Sequence, residues 1–451
     1  MGWHDVDERR CERAKDPVKP SMSLLEERVQ KPAEPLLTAT PSAAERGNVK
    51  DALDGVKVVE FGAYAAGPCI SKYLANFGAG VVHVESRQRP DGFRLQYPPF
   101  KDGRAGLNRS GCFAFFNDSK RGVTLNLKNP AGLQLAYRLI QWSDIVIENM
   151  RPGVMARLGL YYENLKERKP DLIMLSTSNM GQTGPHAPHP GFGSQLSSLS
   201  GFTHLIGEPD GPPYFLYGPY IDFIAVAFGG IALLAALDHR RRTGAGAYID
   251  ISQFETGVQF ISSAVLDYNT NGVIADRNGN RDPVAAPHGC YPCRDGDWCV
   301  ISCWDDAEWE RFCRAAEKSE WLTDERFASI IQRKAHEGEL NQSIAGWTRD
   351  QKAEHLMWRL QCRGIHAAKV NTVQNLFTDP QVAFRNIWQQ QEHPELGNHA
   401  YRMVSYDLSE TPGSIRSAAP CLGADNEKVF VEWLGLSRPE YEELSKQEAF
   451  S

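Results

Sequence analysis

The feature that most constrains the fold of this chain is a repeated alternation between short apolar runs, the first two of them rich in valine, and segments with helical spacing. The runs occupy residues 58–61, 80–85, 122–127, 144–148, 171–177 and 248–251. Residues 69–76 and 131–142 lie between them and carry apolar side chains at helical spacing. Strands that alternate with helices in this way are typical of a parallel sheet with helices on both faces. The pattern therefore predicts an α/β fold.

The length of the chain indicates more than one domain. A chain of 451 residues exceeds what a single hydrophobic core usually organises. Residues 1–50 are rich in proline and charge and predict a flexible N-terminal extension. We predict a large domain at 51–270, a small mixed domain at 271–385 and a C-terminal segment at 386–451.

Composition excludes several classes of protein. The net charge is -7 and the sequence pI is near 6.0, so no basic surface field for nucleic acid is expected. Ten cysteines are too few for a disulfide scaffold. The longest apolar run, 223–237, is shorter than the roughly 20 residues of a membrane span. We expect a cytoplasmic protein with neither a nucleic-acid nor a membrane partner.

The segment 58–68 has the pattern of a strand, a small-residue turn and a helix start, which is typical of a phosphate-binding turn. Gly62 and Gly67 occupy the outer positions of a dinucleotide motif, and Glu85 follows where such folds place their ribose acid. Tyr64 replaces the middle glycine, which argues against the usual NAD-binding mode. A tight turn with no ligand remains an alternative at this point.

Several segments, taken in order, resemble the class III CoA-transferases, the family of formyl-CoA transferase and carnitine CoA-transferase. The resemblance covers roughly residues 53 to 450. It is carried by the segments 53–60, 74–79, 117–122, 144–153, 181–185, 210–222 and 242–244, and by the end of the chain from 422.

This resemblance implies both an architecture and a mechanism. The fold would be a Rossmann-like parallel sheet with an inserted smaller α+β domain, a C-terminal segment that returns to the large domain, and two subunits threaded as interlocked rings. Asp222 matches the family's nucleophile, which forms an acyl-aspartyl anhydride and then an aspartyl-CoA thioester. From its position alone, before the apolar run, Asp222 is more typical of a helix cap than of a nucleophile. We expect its carboxylate to be ionised at neutral pH, with the helix N-terminus favouring the anion.

Further site residues follow from the same resemblance. The CoA thioester is the co-substrate, and no permanently bound cofactor or metal is implied. The positions that match CoA-contacting residues of the family are Ala63, Tyr64, Ala65, Leu125, Lys128, Asn149, Met150 and Arg157.

Four aromatic residues before Asp222 suggest an acceptor pocket for a bulky acid, with the alternative that several belong to the core. They are Tyr214, Phe215, Tyr217 and Tyr220. We predict succinyl-CoA as donor and an aryl- or alkyl-substituted succinate as acceptor. The assembly would be a homodimer or a related heterodimer or heterotetramer.

Several rival interpretations fit the sequence less well. An acyl-CoA racemase of the same superfamily needs a histidine and an aspartate where this chain has Phe192 and Gly193. Gly193 also lacks the acid of many transferases. A silent partner subunit of a hetero-oligomeric transferase is disfavoured by Asp222, and an NAD-dependent dehydrogenase by Tyr64. A zinc site among residues 288–303 is disfavoured because its cysteine spacing fits only half of such a site.

Overall fold

The computed structural model describes residues 51–218 and 220–451. Contacts divide these residues into two compact units. The smaller unit contains residues 206–213 and 276–380, and the larger unit contains residues 51–205, 214–275 and 381–451. The extension predicted at 1–50 lies outside the described residues.

A six-stranded sheet forms the centre of the larger unit. Its strands are β1 (Lys57–Phe61), β2 (Gly80–Glu85), β3 (Arg121–Thr124), β4 (Ile145–Glu148), β5 (Ile173–Ser178) and β6 (Ala247–Ser252). Their order is β3-β2-β1-β4-β5-β6, and every neighbouring pair is parallel. The predicted α/β fold with a parallel sheet is therefore confirmed. Strands β1 to β3 follow one another towards one edge of the sheet, and β4 to β6 follow one another towards the other edge. The strand order therefore reverses between the neighbours β1 and β4.

The first part of the larger unit contains eleven α-helices. They are α1 (Ala66–Asn76), α2 (Gly92–Leu95), α3 (Gly111–Asn117), α4 (Pro130–Trp142), α5 (Val154–Arg157), α6 (Tyr162–Arg168), α7 (Gly193–Leu199), α8 (Phe202–Leu205), α9 (Tyr220–Thr243), α10 (Gln253–Phe260) and α11 (Ser262–Asn271).

Alternate residues of each strand pack on opposite faces of the sheet. Val58 and Ile145 lie in a core shared with α1 and α9. Val59 and Val146 lie in a second core shared with α4 and α6. A parallel sheet covered on both faces needs strands that are apolar throughout, which explains the continuous valine and isoleucine runs of the sequence.

The smaller unit combines a three-stranded antiparallel sheet with helices. Its strands are β7 (His288–Pro292), β8 (Trp298–Ser302) and β9 (His366–Lys369), in the order β7-β8-β9. Its helices are α12 (Asp306–Ala316), α13 (Glu320–Thr323), α14 (Ile330–Ala335), α15 (Glu337–Thr348), α16 (Ala353–Gln361) and α17 (Val373–Leu376). Trp309, Phe312 and Leu340 are buried in its separate core.

The C-terminal part of the chain forms a hairpin and three further helical segments. Its elements are α18 (Pro380–Phe384), β10 (Trp388–His393), β11 (Gly397–Arg402), a π-helical segment (Lys428–Trp433) and α19 (Arg438–Lys446). Thr124 of β3 is hydrogen-bonded to this segment. Its N–H donates to Asn426 Oδ1 at 2.8 Å, and its hydroxyl donates to the Phe450 carbonyl at 2.8 Å. These bonds satisfy groups at the open edge of the sheet.

The longest helix of the larger unit, α9, is rich in apolar residues. By length and composition alone, α9 is the one helix in the described ranges that could cross a membrane, with a mean hydropathy of 2.1 over its most apolar window. It packs against α1, α7 and α10. Gly229 allows the close approach to α1, because a Cβ added there would stand 2.5 Å from Ile70 Cδ1. Its position is that of a helix covering one face of the sheet.

Candidate active site

The loop that follows β1 is a tight turn that requires glycine at one position. A Cβ added to Gly62 would stand 2.5 Å from Glu60 Oε1 and 3.0 Å from Asn149 Oδ1. Tyr64, two residues on, has a φ of 63°, the left-handed conformation that glycine adopts most easily. Tyrosine thus keeps the backbone shape of the missing glycine, but its side chain removes the open approach that glycine would give to a pyrophosphate.

Asp91 and Gln96 hold Tyr64 in this conformation. The Tyr64 N–H lies 3.1 Å from both carboxylate oxygens of Asp91, and the Tyr64 hydroxyl donates to Gln96 Oε1 at 2.9 Å. Burial, together with the nearby charge of Glu85, raises the pKa of Asp91 to about 6. Sequence analysis did not single out Asp91. Its one available signal is the Pro-Asp-Gly turn at 90–92, shortly after β2.

A reciprocal pair of hydrogen bonds ties the β1 loop to the end of β4. The Ala63 N–H donates to Asn149 Oδ1 at 2.9 Å, and Asn149 Nδ2 donates to the Ala63 carbonyl at 2.7 Å. The sheet order reverses between these two strands, and open α/β sheets bind ligands at such a switch point. The structure therefore brings together five of the predicted CoA-binding residues, Ala63, Tyr64, Ala65, Asn149 and Met150.

The other three predicted CoA-binding residues differ in accessibility. Leu125 is 1% exposed and its N–H donates to the Glu85 carbonyl at 2.8 Å, so its side chain is unavailable to a ligand. Lys128, in the loop before α4, and Arg157, at the end of α5, are exposed. Both are cations that a phosphate could approach from solvent.

Beneath the β1 loop, Glu60 lies in a network of fixed charges. Lys120 Nζ donates to Glu60 Oε2 at 2.8 Å, Ser71 Oγ donates to the same oxygen at 2.6 Å, and His83 Nδ1 lies 3.0 Å from Oε1. Burial alone would raise the pKa of Glu60, but the charges of Lys120 and His83 hold it well below its ordinary value. Lys120 also donates to the Pro68 carbonyl at 2.8 Å, which fixes the start of α1 against β1.

Glu85 does not serve as a ribose acid. Arg94 Nε donates to Glu85 Oε1 at 2.9 Å and Arg94 Nη2 donates to Oε2 at 2.7 Å, and both side chains are buried. A carboxylate held by a bidentate guanidinium has no oxygen free for a nucleotide sugar. This pairing adds to Tyr64 as a reason to set aside the dinucleotide interpretation.

Asp222 lies in the first turn of α9 between two apolar clusters. Its neighbour Ile221 is buried beside α7, and its neighbour Phe223 packs in the core shared with α1. Within residues 51–218 and 220–451, no hydrogen bond or ion pair reaches its carboxylate. Burial raises the pKa of Asp222 to about 7. The expectation of an ordinary pKa is thus not met, since the apolar surroundings outweigh a helix dipole worth roughly 0.3–1 kcal/mol.

A row of aromatic rings connects the helix of Asp222 with the β1 loop. Phe223 stacks on Phe116 with ring centroids 5.9 Å apart, and Phe116 stacks on Phe93 at 5.2 Å. Phe93 in turn meets Tyr64 edge-on at 5.3 Å. This row joins the predicted nucleophile and the predicted CoA-binding loop in one packed assembly.

Phe192 lies on another side of Tyr64 and was not singled out as a ligand-facing residue from sequence. Its exposed ring meets the Tyr64 ring edge-on at 6.0 Å. The next residue, Gly193, begins α7, which packs against α9. A phenyl ring cannot exchange protons, and glycine has no side chain to do so. This segment therefore supplies no second acid/base partner for a racemase.

The four predicted pocket aromatics are at least partly open to solvent. Tyr214, Phe215 and Tyr217 are exposed on the segment before α9. Tyr220 packs edge-on against Phe202 and Phe260, with centroids 6.0 and 5.7 Å apart. These two partners lie in α8 and α10.

The cysteines at 290–303 lie in the smaller unit. Among the described residues, no group of three or more histidine, cysteine, aspartate or glutamate side chains is placed to hold a metal. Cys299 and Cys303 are buried in the apolar core, and burial raises the pKa of both thiols, that of Cys299 to about 12. Their environment is that of small apolar side chains.

Comparison with known proteins identifies similar chains among the CoA-transferases. The profile of CoA-transferase family III matches residues 53–426. The succinyl-CoA–D-citramalate CoA-transferase of Chloroflexus aurantiacus is 35% identical over 85% of this chain and 94% of its own length. The alpha subunit of succinyl-CoA–L-malate CoA-transferase from Chloroflexus aurantiacus is 31% identical over 87% of this chain and 91% of its own length.

A solved structure shares the fold. The crystal structure of a CAIB/BAIF family protein from Brucella suis matches with a TM-score of 0.79 and 30% identity, and covers 85% of this chain and 99% of that one. Since the family profile spans most of the chain and the six-stranded parallel α/β architecture is shared, this chain belongs to CoA-transferase family III and is a CoA-transferase.

Proposed function

We propose that this enzyme moves coenzyme A from succinyl-CoA to a second carboxylic acid through a covalent intermediate on Asp222. The observation that carries the proposal is the carboxylate of Asp222, which is half-buried and has no protein partner in the described chain. A carboxylate with neither a cation nor a donor to stabilise it is a stronger nucleophile than a paired one.

The proposed reaction replaces one oxygen of Asp222. The Asp222 oxygen that attacks leaves with succinate, and an oxygen of the acceptor carboxylate takes its place. An Asp222 oxygen attacks the thioester carbon of succinyl-CoA and expels the CoA thiolate, which leaves a mixed anhydride. The thiolate then attacks the aspartyl carbon, releases succinate and forms an aspartyl-CoA thioester. The acceptor carboxylate attacks that carbon and expels the thiolate again. Attack of the thiolate on the acceptor's acyl carbon gives the new thioester and frees Asp222.

CoA would bind along the switch point between β1 and β4. The backbone of Ala63, Tyr64 and Ala65 and the pair Asn149–Met150 would line its path, with Leu125 contributing backbone alone. Lys128 and Arg157 would meet its phosphates, which the exposure of both cations supports. Coenzyme A enters as a co-substrate, and the proposed chemistry requires no permanently bound cofactor.

The proposed acceptor is a substituted succinate. The two relatives are named for succinyl-CoA with citramalate and with malate, both four-carbon dicarboxylate skeletons. The exposed aromatics Tyr214, Phe215 and Tyr217, with Tyr220, would form an apolar wall for an aryl or alkyl substituent once a second chain covers them.

We further propose a dimer of interlocked rings, with the Rossmann-like sheet and an inserted small domain as its protomer, located in the cytoplasm. Support comes from α9, where Phe228, Ile231 and Leu234 form an exposed apolar stripe. Such a stripe usually marks a protein interface. The partner would be a second copy or, as with the alpha subunit among the relatives, a related chain in a heterodimer or heterotetramer.

Mass spectrometry of the CoA thioesters tests the reaction and its substrate class together. The purified protein is mixed with succinyl-CoA and, separately, malate, citramalate, phenylsuccinate, formate, oxalate and carnitine. We expect the substituted succinates to be converted faster than the last three. A faster reaction with formate, oxalate or carnitine would contradict the acceptor class alone, whereas no new thioester with any acid would contradict the proposed donor-to-acid transfer.

A further inference from the structure

A row of three polar side chains crosses the carboxyl edge of the sheet beside the switch point. Glu148 of β4 is in register with Ser176 of β5, which is in register with Asp250 of β6. Neighbouring residues in register on parallel strands point to the same face. Glu148 is 2% exposed, while Asp250 is exposed. This places two carboxylates in one row directly below the loops that follow β4 and β5.

Both loops are hydrogen-bonded to this row. The Met150 N–H donates to Glu148 Oε2 at 2.8 Å, and Gln182 Nε2 donates to Glu148 Oε1 at 3.4 Å. The Gln182 N–H lies 3.0 Å from each carboxylate oxygen of Asp250. Gln182 therefore spans the two carboxylates, and Glu148 joins the loop at 149–150 to the loop at 181–182.

The link continues to the β1 loop. Asn149, between Glu148 and Met150, holds the backbone of Ala63 through two hydrogen bonds. Three loops that follow β1, β4 and β5 are thus coupled through one buried carboxylate. The proposed CoA path runs along the first two of these loops.

The ionised form of Glu148 suits its partners. Three groups reach its oxygens, the Met150 N–H, the Gln182 amide and the Ser176 hydroxyl, and all three can donate. In the described ranges no cation pairs with Glu148, and Asp250 and Tyr248 of β6 are the titratable groups that face it. Burial, with the charge of Asp250, raises the pKa of Glu148 to about 7. A proton on Oε1 would face the Gln182 donor and break that bond.

We propose that Glu148 is a positioning residue whose ionised carboxylate holds the loops after β4 and β5 in the arrangement that binds acyl-CoA. The role rests on the proposed function, because it assumes that acyl-CoA contacts Asn149 and Met150. Protonation of Glu148 releases Gln182, loosens both loops and weakens acyl-CoA binding without touching the chemistry at Asp222.

Calorimetric binding of succinyl-CoA to two matched variants tests this role. Asp222→Asn alone and Asp222→Asn with Glu148→Gln both lack the nucleophile, so neither turnover nor titration of Asp222 contributes. We expect the single variant to bind about 5–10-fold more weakly at pH 6 than at pH 8, the effect of losing one hydrogen bond to a charged acceptor. The double variant should lose this difference, since titration of succinyl-CoA itself is common to both.

A second pair of variants covers the case in which Glu148→Gln fails to fold. Gln182→Ala in the Asp222→Asn background removes the amide whose bond protonation breaks, and should therefore remove most of the pH effect. Binding with an unchanged pH profile in either variant would overturn the role of Glu148 alone. No binding of succinyl-CoA by the Asp222→Asn protein at any pH would overturn the proposed function as well, and so the two failures are distinct.

Discussion

The larger unit places two carboxylates in opposite environments. They are Glu60, below the β1 loop, and Asp222, at the start of α9. Glu60 receives Lys120, Ser71 and His83 within 3.0 Å, and its pKa is held below its ordinary value. Asp222 receives no partner in the described chain, and burial raises its pKa to about 7.

The difference separates a structural role from a chemical one. A carboxylate whose oxygens are all engaged stabilises the turn around it and cannot attack a substrate. A partly buried carboxylate without a partner lowers the free energy of unfolding, and this cost disappears when the carboxylate bonds to an acyl group. The same functional group thus anchors the β1 loop in one place and is left without a protein partner in the other, as the proposed covalent chemistry requires.

The largest effect is expected from removing the nucleophile. Asp222→Asn should lower kcat by at least ~10³-fold, because an amide cannot form the anhydride. Asp238→Asn is a matched control, since Asp238 lies on the same helix, is exposed and pairs with Arg242 at the helix end. It should leave kcat unchanged within about twofold. Near-normal turnover by Asp222→Asn in a steady-state assay would contradict the assignment.

Removing the other carboxylate should damage the fold. Glu60→Gln leaves Lys120 buried without its counter-charge and should lower the free energy of unfolding by about 3–5 kcal/mol. The measurement is urea denaturation at pH 7, with Glu163→Gln on the exposed face of α6 as a control. A loss for Glu60→Gln no larger than that of the control would show that the network does not stabilise the turn.

Replacement of Asp222, in contrast to that of Glu60, should raise the free energy of unfolding. The pKa of Asp222 is raised from 3.8 to about 7 in the fold, so the folded chain keeps a proton that the unfolded chain loses as pH rises between these values. The wild type therefore loses stability over that window, and Asp222→Asn does not. We expect the variant to be more stable by about 1–3 kcal/mol at pH 8 and equal to the wild type at pH 4. A variant that is less stable at pH 8 would contradict the unpartnered environment.

The smallest expected effect is on the pH dependence of the rate. With saturating acyl-CoA, kcat should rise about tenfold between pH 6 and pH 8, because one carboxyl group with a pKa of about 7 must ionise before it attacks. Saturation separates this dependence from the effect of Glu148 on binding. The midpoint should stay the same with a second donor thioester. A rate that is constant from pH 5.5 to pH 8 would mean that Asp222 is already ionised.

The strands β1, β2, β4 and β5 were predictable from sequence because each is a local apolar run that the parallel sheet buries on both faces. The partners of Glu60 were not, since Lys120 and His83 come from distant segments that only the sheet order brings together. Glu85 followed the local pattern of a ribose acid, and no local signal revealed that Arg94 engages both its oxygens.

The candidate site was also predictable from sequence only in part. Asp222 was identifiable through the family resemblance, but its raised pKa depends on how Ile221 and Phe223 pack. The contribution of Phe192 and Glu148 depends on contacts across loops, which no spacing along the chain encodes. A candidate nucleophile could therefore be named from the sequence, whereas the environment of its carboxylate required the fold.

Trapping of the covalent intermediate tests the central claim most directly. The enzyme is incubated with succinyl-CoA, quenched with hydroxylamine, digested and analysed by peptide mass spectrometry. We predict a hydroxamate on the peptide that contains Asp222, localised to that residue by fragmentation and absent without donor. No adduct there, or an adduct on another carboxylate such as Glu60 or Glu148, obtained from enzyme shown to be turning over, would contradict Asp222 as the nucleophile.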